Sequence, residues 1–103
     1  MIRHIVLLRF RPDVPEAKRT ALVAALQPLK ERIEGIIDFH NGANISVEPH
    51  VMHGFTDVFW FDFRDHAARA TYLAHPDHVA AAQPIVDAVE GGLAGIVVMD
   101  VAL

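Results

Sequence analysis

Alternating and helical spacings of apolar residues divide the chain into strands and helices. Period-two alternation predicts strands at residues 2–10, 36–47, 54–64 and 95–103. Helical spacing predicts a helix over residues 16–34, which Pro28 should kink or split, and two shorter helices at 65–74 and 79–90. Gly42 suggests a bulge in the second strand. This order predicts an α+β, ferredoxin-like β-α-β-β-α-β fold, with a four-stranded antiparallel sheet and helices on one face.

One face of the predicted sheet is rich in aromatic residues. Its apolar members are Val6, Leu8, Phe10, Phe55, Phe59, Phe61 and Phe63. We interpret this as the face that the helices leave uncovered. It is too apolar for a soluble monomer, so it predicts a homodimer. His4 and Asp57 are the polar exceptions, and the simplest interpretation is a hydrogen-bonded core histidine and a carboxylate that reaches water at a strand end.

Composition narrows the class of protein. The 103 residues suit one domain, residues 1–103, and the net charge of −4 comes without a basic cluster, which argues against nucleic acid and anionic membranes as partners. There is no cysteine, which excludes disulfides, thiolate metal sites and cysteine nucleophiles. No apolar run reaches transmembrane length and no signal-peptide pattern is found, so we expect a cytoplasmic protein. His40, His50 and His53 lack further ligands at suitable spacing, so no metal is expected.

Candidate chemistry is concentrated at residues 72–79, Tyr-x-x-His-Pro-x-His-Val. Pro76 suits a first helical turn, and His75 before it should form a corner. His78 then lies near a helix N-terminus, whose dipole favours neutral imidazole, a form that acts as a base near pH 7. The alternative is that these polar residues only decorate the start of a helix.

The block at 72–79, together with residues 2–10 and the Gly-Phe-Thr-Asp start at 54–57, resembles the stress-responsive A/B barrel (Dabb) domains of the dimeric α+β barrel superfamily. The resemblance implies a homodimeric α+β barrel with one pocket per subunit. Many members have no assigned activity, whereas a plant branch contains polyketide cyclases that use a His–Tyr pair for proton transfer. By motif position that pair is similar to His78 and Tyr72, and His4 matches a pocket histidine. The chain departs from the cyclases at Asp57, where they carry histidine, and around Ala24, where a pocket tyrosine is missing.

The resemblance leaves two functional hypotheses. The first is a cofactor-free lyase or isomerase for a small, largely apolar carbonyl or aromatic compound, with His78 as base, Tyr72 as its partner, and His4 and Asp57 in secondary roles. In this hypothesis Asp57 pairs with His78. The expected pocket lining is Val6, Leu8, Phe55, Phe59, Phe61 and His75. The second hypothesis is a non-catalytic stress-response or ligand-binding dimer. Haem-degrading relatives suggest haem as a weaker third idea, although no cofactor is expected.

Overall fold

The computed structural model describes residues 1–103 as a four-stranded antiparallel sheet with helices packed against one face. The strands are β1 (Ile2–Leu8), β2 (Ile36–Ala43), β3 (Asp57–Phe63) and β4 (Ile96–Ala102), in the order β2-β3-β1-β4. The helices are α1 (Glu16–Ala24), α2 (Leu29–Arg32), α3 (His66–Ala74) and α4 (Pro76–Ala88), and short 3₁₀ turns occupy Pro49–Val51 and Gly92–Gly95. The predicted ferredoxin-like fold is confirmed.

The register of the central strand determines which side chains meet. β1 lies between β3 and β4 and pairs with both in antiparallel fashion. His4 stands opposite Phe61 on β3 and opposite Asp100 on β4. A polar pair is thereby built across two strands that are far apart in the sequence.

Proline residues account for the helix boundaries. The first predicted helix is split into α1 and α2, and Pro28 directly precedes α2. α4 begins at Pro76, three residues earlier than predicted, and the extended backbone of His75 forms the expected corner. The register shift in β2 lies between Ile36 and Asp38, so the prediction of a bulge at Gly42 is wrong. The shift instead follows directly on Gly35, whose φ is 92°.

The aromatic face of the sheet lies beneath the helices, so the prediction that it is uncovered is wrong. Leu8, Phe61 and Phe63 are 0 % exposed, and the Tyr72 ring from α3 packs on Phe61 at 4.8 Å between ring centroids. Both faces of β1 and β3 are apolar in their centres, so alternation alone did not reveal which face the helices take. The uncovered face instead carries Ile5, Leu7, Val58, Trp60, Val97, Met99 and Val101. None of the helices is long and apolar enough to cross a membrane.

Candidate active site

A mostly apolar cavity of about 310 Å³ lies between the covered face of the sheet and helices α3 and α4. Its volume is at the lower end of the range for small-molecule sites. Val98 and Leu73 line it and are 55 % and 46 % exposed, so it opens towards solvent beside β4. The apolar lining residues are Val6, Leu8, Leu26, Phe59, Tyr72, Leu73, Ala82, Ile85, Val86, Ile96 and Val98, and the polar ones are His4, His78 and Asp100.

The rings of Tyr72 and His78 pack against each other at the wall of the cavity. Tyr72 lies in the last turn of α3 and His78 in the first turn of α4, and the corner at His75 folds the two helices so that the rings meet. Their ring centroids are 4.1 Å apart. His75 itself caps α4, because its Nδ1 accepts a hydrogen bond from the backbone N–H of Asp77 at 3.1 Å.

The surroundings of this pair fix its protonation. The His78 Nδ1 lies 3.3 Å from the carbonyl oxygen of Leu73, which only accepts, so Nδ1 carries the hydrogen and Nε2 keeps its lone pair. Burial lowers the pKa of His78, and the nearby His4 and His75 lower it further, against a raising effect of the Leu73 carbonyl. Burial also raises the pKa of Tyr72. Near neutral pH the pair is therefore a neutral imidazole that accepts a proton and a phenol that donates a hydrogen bond.

His4 brings a second imidazole to the cavity. Its side chain is 7 % exposed, and its ring lies edge-on to Tyr72 at 6.0 Å between centroids. The His4 Nδ1 is 2.6 Å from Asp100 Oδ1, and the other carboxylate oxygen is 2.8 Å from Arg69 Nη1. In the neutral imidazole the carboxylate accepts from Nδ1–H, and Nε2 is then the nitrogen that carries the lone pair.

The expected lining residues divide between the cavity and its surroundings. His4, Val6, Leu8, Phe59, Tyr72 and His78 line the cavity. Phe61 does not, because the Tyr72 ring covers it. Phe55 lies against the guanidinium of Arg9 at 4.9 Å, and His75 is turned towards the backbone of α4. None of these three residues lines the cavity.

Asp57 lies in a different place, which corrects the expectation that it pairs with His78. It is at the N-terminal end of β3, four residues, or about 13 Å, from Phe61, the partner of His4. Its carboxylate accepts a hydrogen bond from the Thr56 hydroxyl at 3.0 Å. It lines a separate polar groove between α1 and the ends of β2 and β3.

Sequence reasoning missed Asp100 and Arg69. Asp100 is the single charged residue in the apolar strand β4, the same kind of signal that drew attention to Asp57. The register of β1 and β4 was needed to place it opposite His4. No group of three or more histidine, cysteine, aspartate or glutamate side chains is arranged to hold a metal ion.

Comparison with known proteins identifies relatives of the same fold. Residues 2–103 match the family described as the stress responsive A/B barrel domain. The chain is 33 % identical over 78 residues to the stress-response A/B barrel domain-containing protein HS1 of Arabidopsis thaliana, which covers 76 % of this chain and 71 % of that protein.

Two solved structures extend the comparison. A dimeric ferredoxin-like protein of unknown function from Jannaschia sp. superposes with a TM-score of 0.89 and 26 % identity, covering 99 % of this chain and 98 % of that one. The hydroxynitrile lyase of Passiflora edulis superposes with a TM-score of 0.83 and 19 % identity over 99 % of this chain and 92 % of that one. At that identity the second likeness concerns the fold alone.

Proposed function

Because the chain belongs to the stress-responsive A/B barrel family, we propose that it is a homodimer in which each cavity binds a small, largely apolar carbonyl or aromatic compound. Without a cofactor, the cavity moves a proton on that compound, as a lyase or an isomerase does. His78 is the base, and the Tyr72 hydroxyl donates a hydrogen bond to the bound compound.

The observation that carries this proposal is the packing of Tyr72 against His78 at the wall of an apolar cavity. The pKa of His78 is lowered and that of Tyr72 is raised, so the two groups are kept in complementary states. Pairs of titratable groups whose pKa values are driven apart by their surroundings are typical of acid–base sites. A half-buried His78 also remains accessible to a ligand.

The chemistry follows from these states. The Nε2 of His78 takes a proton from the carbon next to a carbonyl group, and the electrons of that C–H bond move into an enolate. The Tyr72 hydroxyl donates a hydrogen bond to the oxygen on which the negative charge develops. Return of the proton from His78 to the same carbon or to another position completes an exchange or an isomerisation.

The uncovered face of the sheet supports the homodimer. It carries a continuous apolar surface, and Val97, Met99 and Val101 on it are 41 %, 51 % and 38 % exposed. The Trp60 Nε1 on this face is buried and has no hydrogen-bond partner within the chain, so a second subunit would supply a natural acceptor. Neighbouring structures are described as dimeric.

Hydrogen–deuterium exchange tests the activity without knowledge of the natural substrate. The protein is incubated in D₂O with small methyl ketones such as acetophenone, and loss of the α-proton signal is followed by NMR. We expect exchange above the background rate, with a reduction of about 10²-fold or more in His78→Gln and a smaller one in Tyr72→Phe.

His50→Gln is the matched control, because His50 is exposed and lies outside the cavity. It should exchange at the wild-type rate. Exchange that is indifferent to His78→Gln would refute the catalytic proposal. Saturable ketone binding without exchange would instead favour the second candidate, a non-catalytic binding protein, which the predominance of apolar lining residues also suits.

A further inference from the structure

His4 and Asp100 are the polar cavity residues that the proposed chemistry does not use, and Asp100 links His4 to Arg69. It contacts two side chains through different oxygens, His4 Nδ1 at 2.6 Å and Arg69 Nη1 at 2.8 Å. The carboxylate is thus fixed at both ends, to a strand on one side and to α3 on the other. A carboxylate that receives the Nδ1–H of an imidazole orients the ring and stabilises its protonated form.

His4, Asp100 and Arg69 differ in how far their side chains are exposed to solvent. The His4 side chain is 7 % exposed, whereas those of Asp100 and Arg69 are 31 % and 26 % exposed. The second guanidinium nitrogen, Nη2, lies 3.3 Å from His66 Nδ1, which restricts the rotation of Arg69. The buried imidazole of His4 therefore lies at the cavity wall, and Asp100 and Arg69, which hold it, are partly exposed at the surface.

We propose that Asp100, held by Arg69, is a positioning residue that makes His4 a second proton-transferring group, and that the substrate is a carbonyl compound that also bears a hydroxyl group. This inference rests on the proposed function and assigns its substrate class. His78 removes the carbon-bound proton. The Nε2 of His4 accepts the hydroxyl proton: the O–H bond breaks, its electron pair stays on oxygen, and the Nδ1–H of His4 stays hydrogen-bonded to Asp100. When the enolate collapses, His78 returns its proton to carbon and His4 returns its proton to oxygen, so both imidazoles are again neutral.

The cavity supports two distinct proton acceptors. Both imidazoles contact Tyr72, at 4.1 Å for His78 and 6.0 Å for His4 between ring centroids. Both have their Nδ1–H engaged by an acceptor, so in the neutral form of each ring the unprotonated Nε2 points away from that acceptor. A substrate with only one acidic position would leave the second acceptor without a role.

The test compares two probes that differ by one hydroxyl group, acetophenone and α-hydroxyacetophenone, in the deuterium-exchange experiment. We expect Asp100→Ala to slow exchange of the hydroxyketone by about tenfold or more and that of acetophenone by much less, because only the hydroxyketone engages His4. Arg69→Met should act in the same direction and more weakly. Asp100→Asn, whose amide oxygen still accepts from Nδ1–H, should restore part of the rate.

The tautomer of His4 gives a readout that needs no substrate. In ¹⁵N NMR spectra we expect the Nδ1–H form in the wild type and in Asp100→Asn, and a mixture of tautomers in Asp100→Ala. Asp38→Ala is the matched control, because it removes a carboxylate from an exposed imidazole, that of His40, outside the cavity. It should leave both exchange rates unchanged.

The outcomes separate the two proposals. Equal slowing of both probes by Asp100→Ala, or an unchanged His4 tautomer, would overturn the role of Asp100 while His78→Gln still abolished exchange. If His78→Gln left the exchange rates of both probes unchanged, the proposed function would be refuted. The tautomer spectrum would still show whether Asp100 orients His4.

Discussion

At the scale of single residues, His78 is a group whose charge the fold suppresses. Burial lowers its pKa from the ordinary 6.5, so the unfolded chain binds a proton at His78 more readily than the folded one. The contribution of His78 to the free energy of unfolding is therefore complete above about pH 6.5. It is lost as the pH falls from there towards the lower pKa that His78 has in the folded protein.

The lowered pKa of His78 predicts how the stability of the protein depends on pH. Between about pH 7.5 and about pH 5.5 the free energy of unfolding should fall more steeply in the wild type than in His78→Gln, as measured by urea denaturation. His50→Gln removes an exposed histidine and should keep the wild-type slope. A His78→Gln protein that also keeps that slope would show that the fold does not depress the pKa of His78.

The candidate site was predictable at residue scale only where its members are close in sequence. The block from Tyr72 to His78 contains the corner, the proline and both residues of the proposed proton-transferring pair, and the turn geometry determines their contact. His4 and Asp100 meet through strand register, and no local pattern encodes the register of strands that distant parts of the chain supply. For the same reason, the apolar surroundings of Asp57 suggested a site that its position along β3 rules out.

At the scale of elements, the turn between α2 and β2 depends on Gly35. Its φ is 92°, and a Cβ at this position would lie 2.5 Å from the Cβ of Ala68 on α3. Gly35 therefore permits both a left-handed backbone and the close approach of α3.

Gly35→Ala should lower the free energy of unfolding by about 2 kcal/mol or more, because strain and a steric clash add together. Gly42→Ala is the control, since a Cβ at that position would have no neighbour within 4 Å and its φ is not positive; it should change stability by about 0.5 kcal/mol or less. Chemical denaturation of both variants measures the difference. Equal effects would mean that α3 moves away from the turn at little cost.

Prolines and glycines made the boundaries of helices and strands predictable from the sequence. The way these elements pack against each other was harder to predict. Pro28 and Pro76 act through their own backbone geometry, and the structure has a helix break and a helix start there. The side of the sheet that the helices cover depends on the handedness of whole β-α-β units. Because β1 and β3 are apolar on both faces, the sequence pattern was compatible with either side.

At the scale of the whole molecule, the uncovered sheet face carries the proposed dimer contact. Stable homodimer contacts bury about 2,000 Å² or more and have apolar centres. Phe61, at 0 % exposure, belongs to the core, so substituting it tests folding; Val97, at 41 % exposure on the uncovered face, tests association.

Light scattering should give twice the chain mass of 11.4 kDa for the wild type and a smaller mass for Val97→Glu, because burying an unpaired carboxylate costs several kcal/mol. Val79→Glu is the control: Val79 is 54 % exposed but lies on α4, on the opposite side of the sheet. It should remain dimeric. A wild-type protein that scatters as a monomer at micromolar concentration would refute the dimer.

The central place of β1 also has a kinetic consequence. β1 is made first, yet one of its two neighbours is β4, with Ile2 opposite Ala102 at almost the full length of the chain. Closing so long a loop slows folding, since the entropy is lost before the contact is gained. While the polypeptide is being synthesised, β1 has an unpaired edge until β4 emerges, and during that interval the nascent chain is most exposed to pairing with the wrong strand.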